Sequence, residues 1–176
     1  MAHFKSNVLR VLVTLYLGLI VTVLLNAQNS DTLLHRIPEV ELKTLDNRII
    51  GSSTLTNGDK PLVLIFWKSC CAPNIKMLDA ISEVYEEWQE KTGVVIYAIS
   101  TDDSRSSVGV APLVNGKGWE FIVLLDVNSD FKRAMNVNDT PHIFILDAKN
   151  KVIWQKANYI PGDESEIYGI LLNFRK

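Results

Sequence analysis

Cys70 and Cys71 are the only thiols of the chain, and they are adjacent. They stand just before Ala72, Pro73 and Asn74, where an apolar run gives way to a helical pattern. A thiol at a helix start faces unpaired amide N–H groups and the positive end of the helix dipole, which favour the thiolate. Cys71 is therefore expected to ionise below the free value of about 8.5, with Lys68 near enough in sequence to add positive charge. Such a thiolate attacks a disulfide and forms a mixed disulfide. What the two cysteines can do together is restricted. Neighbouring Cα atoms lie about 3.8 Å apart across a trans peptide, short of the usual disulfide range that starts near 4.4 Å. A Cys70–Cys71 bond would thus be strained, oxidising and easily reduced. Two adjacent cysteines also exclude a disulfide framework and a thiolate zinc cage.

The elements that must hold this pair are readable on either side of it. Leu62 to Trp67 is a continuous apolar run, the mark of a strand covered on both faces. After Pro73, the residues Met77, Ile81, Val84, Tyr85 and Trp88 recur every three or four positions, with glutamates opposite. That pattern is an amphipathic helix, and Gly93 is its natural stop. Val94 to Ile99 and Phe121 to Leu125 read as further buried strands. Ile143–Leu146 and Val152–Trp154 flank a turn at 147–151 as a hairpin. A second hairpin is expected around Asp46-Asn47, between Val40–Leu42 and Ile49-Ile50. Asp130 to Met135 is a short helix, and Glu164 to Phe174 a closing amphipathic one. Between Asp102 and Lys117 a Ser-rich start favours a helix, which Gly109 and Pro112 would kink or shorten. This order describes an α/β domain with a central mixed sheet, helices on both faces and an N-terminal β-hairpin extension.

Segment 66–74, Phe-Trp-Lys-Ser-Cys-Cys-Ala-Pro-Asn, resembles the active-site segment of the thioredoxin superfamily. The segments 119–126 and 140–147 are similar to those of its exported, membrane-associated TlpA/ResA-like thiol-disulfide oxidoreductases. The resemblance covers about residues 38–175 and implies a thioredoxin-like fold without a cofactor. It places Cys71 at the nucleophilic position and Asn74 where the family has its resolving cysteine. Cys70 stands at a family tryptophan, Met77 at a glutamate thought to help proton transfer, and Ile65 where thioredoxins often bury an acid. It also implies a cis peptide between Thr140 and Pro141, beside which an extended peptide can pair like an added strand. Cys71 and Cys70 are thus the candidate reactive groups, and Trp67, Pro73, Asn74, Thr140 and Pro141 the residues that bind or shape the site. Cys70 either fills part of the former tryptophan site or takes part in the chemistry. His142 either meets a partner or is simply solvated.

Export follows from the N-terminus. His3, Lys5 and Arg10 precede an apolar stretch, Val11 to Leu25, before Ala27 and a polar run. Residues 1–27 are expected to be a signal peptide or a retained membrane anchor, 28–37 a polar connector and 38–176 the thioredoxin-like domain. The expected location is extracytoplasmic, in the periplasm, soluble after cleavage or anchored by the N-terminal segment. A hydrophobic content of 47% marks a chain that folds, and a net charge of −2 without a later basic block excludes nucleic acid as a partner. The three histidines are scattered, so no metal-ligand spacing exists. A peroxiredoxin would need a Thr-x-x-Cys motif, but Trp67 and Lys68 stand where its threonine belongs. Two functions stay open: an atypical monothiol oxidoreductase acting on an exported protein or peptide with an external thiol reductant, and a redox-inactive module that holds a partner.

Overall fold

The computed structural model describes residues 36–174. The expected leader at 1–27 and most of the connector at 28–37 lie outside the described residues. Strands β1 (Glu41–Thr44) and β2 (Ile49–Gly51) form the expected antiparallel hairpin, with Asn47 in the left-handed region at φ 65°. Asparagine tolerates that conformation better than most residues, which suits it to the turn. All six residues of β3 (Leu62–Trp67) are buried, so this strand has no face to offer water.

The long helix α1 (Ala72–Thr92) follows, ended by Gly93 at φ 68°. Then come β4 (Val95–Ser100), α2 (Val110–Lys117), β5 (Ile122–Leu125), α3 (Asp130–Ala134), β6 (His142–Leu146), β7 (Val152–Ala157) and α4 (Asp163–Asn173). The ambiguous stretch after Asp102 resolves into a 3-10 turn at Ser107–Gly109 that runs into α2. Pro112 sits in the first turn of α2, where its missing N–H costs no helical hydrogen bond.

The strands form one sheet in the order β2-β1-β5-β4-β3-β6-β7. Within it β3, β4 and β5 run parallel, while β1, β2, β6 and β7 join by antiparallel pairs. Alternation along β3 splits the core in two. Val63, Ile65 and Trp67 meet Met77, Leu78, Ile81, Tyr85 and Trp88 of α1, with residues of α2 and α4. Leu62, Leu64 and Phe66 meet Phe131 of α3 and Leu42 of β1 on the other face. Helices therefore cover both faces, as expected. Phe66 anchors the second face, with its ring 5.2 Å from that of Phe131 and 5.9 Å from that of Phe144. No helix among the described residues is long and apolar enough to cross a membrane.

Candidate functional site

Three chain segments converge at one end of this sheet because of its register. Trp67, the last residue of β3, pairs with Ser100 at the end of β4, and Phe66 pairs with His142 at the start of β6. The loop after Trp67, the loop after Ser100 and the Thr140-Pro141 pair before β6 therefore share that end. This is where open α/β sheets gather their functional groups. The Thr140–Pro141 peptide is cis, as the resemblance implied.

Cys71 is the N-cap of α1, with extended backbone (φ −115°, ψ 113°) and a side chain that makes no capping hydrogen bond. Cys71 is partly buried and Cys70 exposed, both as free thiols, with their sulfurs 3.0 Å apart.

The expected acidic thiol is not found. Cys71 is held above its ordinary value, first by the hydrogen bond with Cys70, then by burial and by electrostatic repulsion from the Cys70 side chain. Lys68 pulls the other way, and the Asp102 carboxylate adds to the upward push. The helix start also offers a thiolate fewer amides than its position suggests. Pro73 has no N–H, and the amides of Asn74 and Ile75 donate to the Cys71 carbonyl at 3.0 and 3.3 Å.

Asn74, which the resemblance sets at the resolving-cysteine position, is buried, 1% exposed. Its Oδ1 accepts the Lys68 N–H at 3.3 Å, which ties the cysteine loop to the first turn of α1. Met77 and Ile65 are fully buried in the apolar core, so neither position brings a proton carrier to the thiols. Pro73 is exposed on the first turn of α1, beside Cys71.

An acid does reach the loop from a position that sequence reasoning passed over. Asp102, just past β4 and fully buried, accepts three hydrogen bonds. The Ser69 N–H donates to Oδ2 at 2.9 Å, the Ser69 hydroxyl to Oδ1 at 2.7 Å and the Ser100 hydroxyl to Oδ2 at 2.8 Å. Ser69 is thereby clamped one residue before the cysteine pair. Its signal was Ser100-Thr101-Asp102 at the exit of a buried strand, the place where loop-anchoring groups collect.

Trp67 shapes the site from beneath rather than touching a ligand. It is fully buried against Trp119, ring centroids 5.5 Å apart and edge-on, and its Nε1 has no hydrogen-bond partner among the described residues. Its carbonyl accepts from both the N–H and the hydroxyl of Thr101, which fixes the end of β3 against the next loop.

The cis-proline side is more open. Pro141 is buried and its carbonyl accepts the Asn158 N–H at 3.2 Å. The Thr140 N–H and C=O have no partner among the described residues. His142 is half-buried, stacked on Phe144 at 4.5 Å and paired with Gln155 at 3.3 Å. Burial lowers its pKa, which favours the neutral ring. A cavity of about 430 Å³ lies at the other end of the sheet, among Lys60, Gln89 and Gly93, and takes in none of these residues.

The sequence profile of the AhpC/TSA family matches residues 33–155, a span that holds both the cysteine loop and the cis-proline. The chain belongs to the AhpC/TSA family. Among its relatives, the thiol-disulfide oxidoreductase ResA of Bacillus thuringiensis (strain Al Hakam) is 31% identical over 96 residues, 54% of each chain. ResA of Oceanobacillus iheyensis is 24% identical over 156 residues, 85% of this chain and 77% of the relative. The chain thus spans about half the length of these Bacillus relatives. A solution structure of a thioredoxin-like protein from Porphyromonas gingivalis is 39% identical, with a TM-score of 0.71, and covers 78% of this chain and 90% of that one. A thiol:disulfide interchange protein DsbE from Chlorobium tepidum, 20% identical with a TM-score of 0.69 over 81% and 96% of the two chains, shares the fold. This AhpC/TSA chain has the thioredoxin-like fold and is similar to proteins named thiol-disulfide oxidoreductases, as its motifs implied.

Proposed function

We propose that this chain is an exported thiol-disulfide exchange protein in which Cys71 is the nucleophile and position 74 supplies no resolving thiol. The observation that carries this reading is the placement of a solvent-reaching Cys71 at the N-cap of α1, at the same end of the sheet as the cis Thr140–Pro141 pair. The Cys71 thiolate attacks one sulfur of a partner disulfide. A Cys71–partner bond forms, and the partner's other sulfur leaves as a thiolate that takes up a proton. An external thiol then attacks Sγ of Cys71 and releases the partner's second sulfur as a thiolate. A second external thiol attacks the resulting mixed disulfide and frees Cys71, so the partner gains two reducing equivalents and the two external thiols end as a disulfide. The Thr140 backbone, unpaired among the described residues, offers an extended peptide one strand-like contact at the same end of the sheet as the reacting sulfur. Because Cys71 is held up, exchange quickens as pH rises past neutrality. The basic start and apolar stretch of residues 11–25 support export in this reading, to the periplasm in a two-membrane cell.

One observation favours a second reading, a redox-inactive binding module. The thiol is raised rather than acidified, and a structural amide has replaced the second sulfur. Trapping in cells separates the two. Exported proteins disulfide-linked to the wild-type chain and absent with Cys71→Ser support exchange. Capture that survives in the Cys70→Ser/Cys71→Ser double variant supports the binding module.

A further inference from the structure

The partner adduct on Cys71 has a thiol beside it. Cys70 is exposed, and its sulfur lies 3.0 Å from that of Cys71, closer than any other thiol can come because the chain has only these two. We infer that Cys70 is the resolving thiol of this site, replacing the sulfur lost at position 74 and closing a Cys70–Cys71 disulfide. The inference rests on Cys71 as nucleophile.

Three features support it. The loop that carries the pair is held at fixed points: Asp102 clamps Ser69, Asn74 holds the Lys68 N–H, and Cys71 caps α1. The sulfurs are therefore kept together rather than meeting by chance, the condition under which an intramolecular step outruns an external one. Asn74, by contrast, is buried and engaged, so a sulfur at its place is not what the loop was built around. Finally, Cys70 is exposed, so an external dithiol can reach its sulfur.

The step balances without a further reagent. The Cys70 thiolate attacks Sγ of Cys71, the Cys71–partner bond breaks, and the partner's remaining sulfur leaves as a thiolate. The partner disulfide has then become a dithiol, and the Cys70–Cys71 dithiol has become a disulfide. Adjacent cysteines make a strained bond, so the oxidised pair readily passes its disulfide to an external dithiol, which is oxidised as the two thiols return. The same sequence run backwards oxidises a partner dithiol.

The test uses the full chain and less than one equivalent of an aromatic disulfide, dithionitrobenzoate, whose thiolate is coloured and leaves easily. The wild type should release both thiolates of each reagent molecule. The second release should proceed at a rate independent of protein concentration and leave a monomer lighter by two hydrogens. Cys70→Ser should release only the first, its second phase slowed by about a hundredfold or more, as loss of an intramolecular thiol requires. Mass spectrometry should find its aryl adduct on Cys71. A wild type that keeps the adduct as long as Cys70→Ser does, or a second phase that accelerates with protein concentration, overturns the inference and leaves Cys71 standing as nucleophile. A first release unchanged in Cys71→Ser removes Cys71 itself, and the inference with it.

Discussion

The clamp at Asp102 can be tested with two replacements whose costs should differ sharply. Asparagine keeps the shape of the side chain. With its oxygen at the Oδ2 position, it still accepts the Ser69 N–H and the Ser100 hydroxyl. Its NH2 then faces only the Ser69 hydroxyl, which can turn and accept. Asp102→Asn therefore loses charge assistance but few bonds, about 1–2 kcal/mol. Asp102→Ala removes all three acceptor contacts. Charged hydrogen bonds are worth about 1.5–3 kcal/mol each, but half-buried Ser69 regains water, so the total should be roughly 3–5 kcal/mol. For a domain of this size, that separates the variants in Tm by a few degrees for Asn and about 10–15 °C for Ala. Urea denaturation gives the free energies, and thermal scans check them. The electrostatic sign is independent of stability. The Asp102 carboxylate helps to hold Cys71 up, so Asp102→Asn should move the midpoint of Cys71 alkylation to lower pH. An Ala variant within about 1 kcal/mol of wild type would refute the clamp. So would an Asn variant as damaged as Ala. A midpoint that rises in Asp102→Asn would refute the charge assignment.

Other residues make separate demands. Cys70→Ala removes the largest cause of the raised Cys71 pKa, so the pH midpoint of Cys71 alkylation, read by mass spectrometry, should fall. Trp67→Phe loses contact with Trp119 but also removes a buried N–H that has no partner. The second effect offsets about 1–3 kcal/mol, so the variant should cost under about 2 kcal/mol in urea, against roughly 3–5 for Trp67→Ala. Asp126, 1% exposed, caps α3 by accepting the Phe131 and Lys132 N–H groups, and burial raises its pKa from 3.8. Above pH 3.8 the unfolded chain has lost this proton while the native state still holds it. Its contribution to stability must therefore fall as pH rises towards the folded pKa. Asp126→Asn should abolish that fall in a series of urea denaturations from pH 3.5 upwards.

Most of the scaffold was legible because apolar periodicity speaks directly about burial. The unbroken run 62–67 could only be a strand covered on both faces, and the spacing of Met77, Ile81, Tyr85 and Trp88 only a helix with one dry side. The cis bond at Pro141 was legible through resemblance alone, since nothing in its neighbours demands it. The acidity of Cys71 was misjudged for two local reasons. A helix start implies free amides, but here Pro73 brings none and the next two turn to the Cys71 carbonyl. Adjacency of Cys70 in sequence also did not say that the two sulfurs would meet. Asp102 was missed because its partners, Ser69 and Ser100, come from different strand ends. Only the register that sets Trp67 beside Ser100 joins them.

Asn74 gives the site a property that no sulfur at that position would give. A thiol there would tie the loop to the helix only while oxidised, and reduction would let the two part. The amide bridge from Asn74 to Lys68 has no redox state. Reductants leave it intact, and oxidants have nothing there to close. In the exchange proposed above, this tie between loop and helix is therefore the same in both redox states, and the strain of a closed Cys70–Cys71 bond falls on the two residues between the fixed points at Ser69 and the first turn of α1. A partner that must tell the charged state from the spent one has to read that short stretch directly.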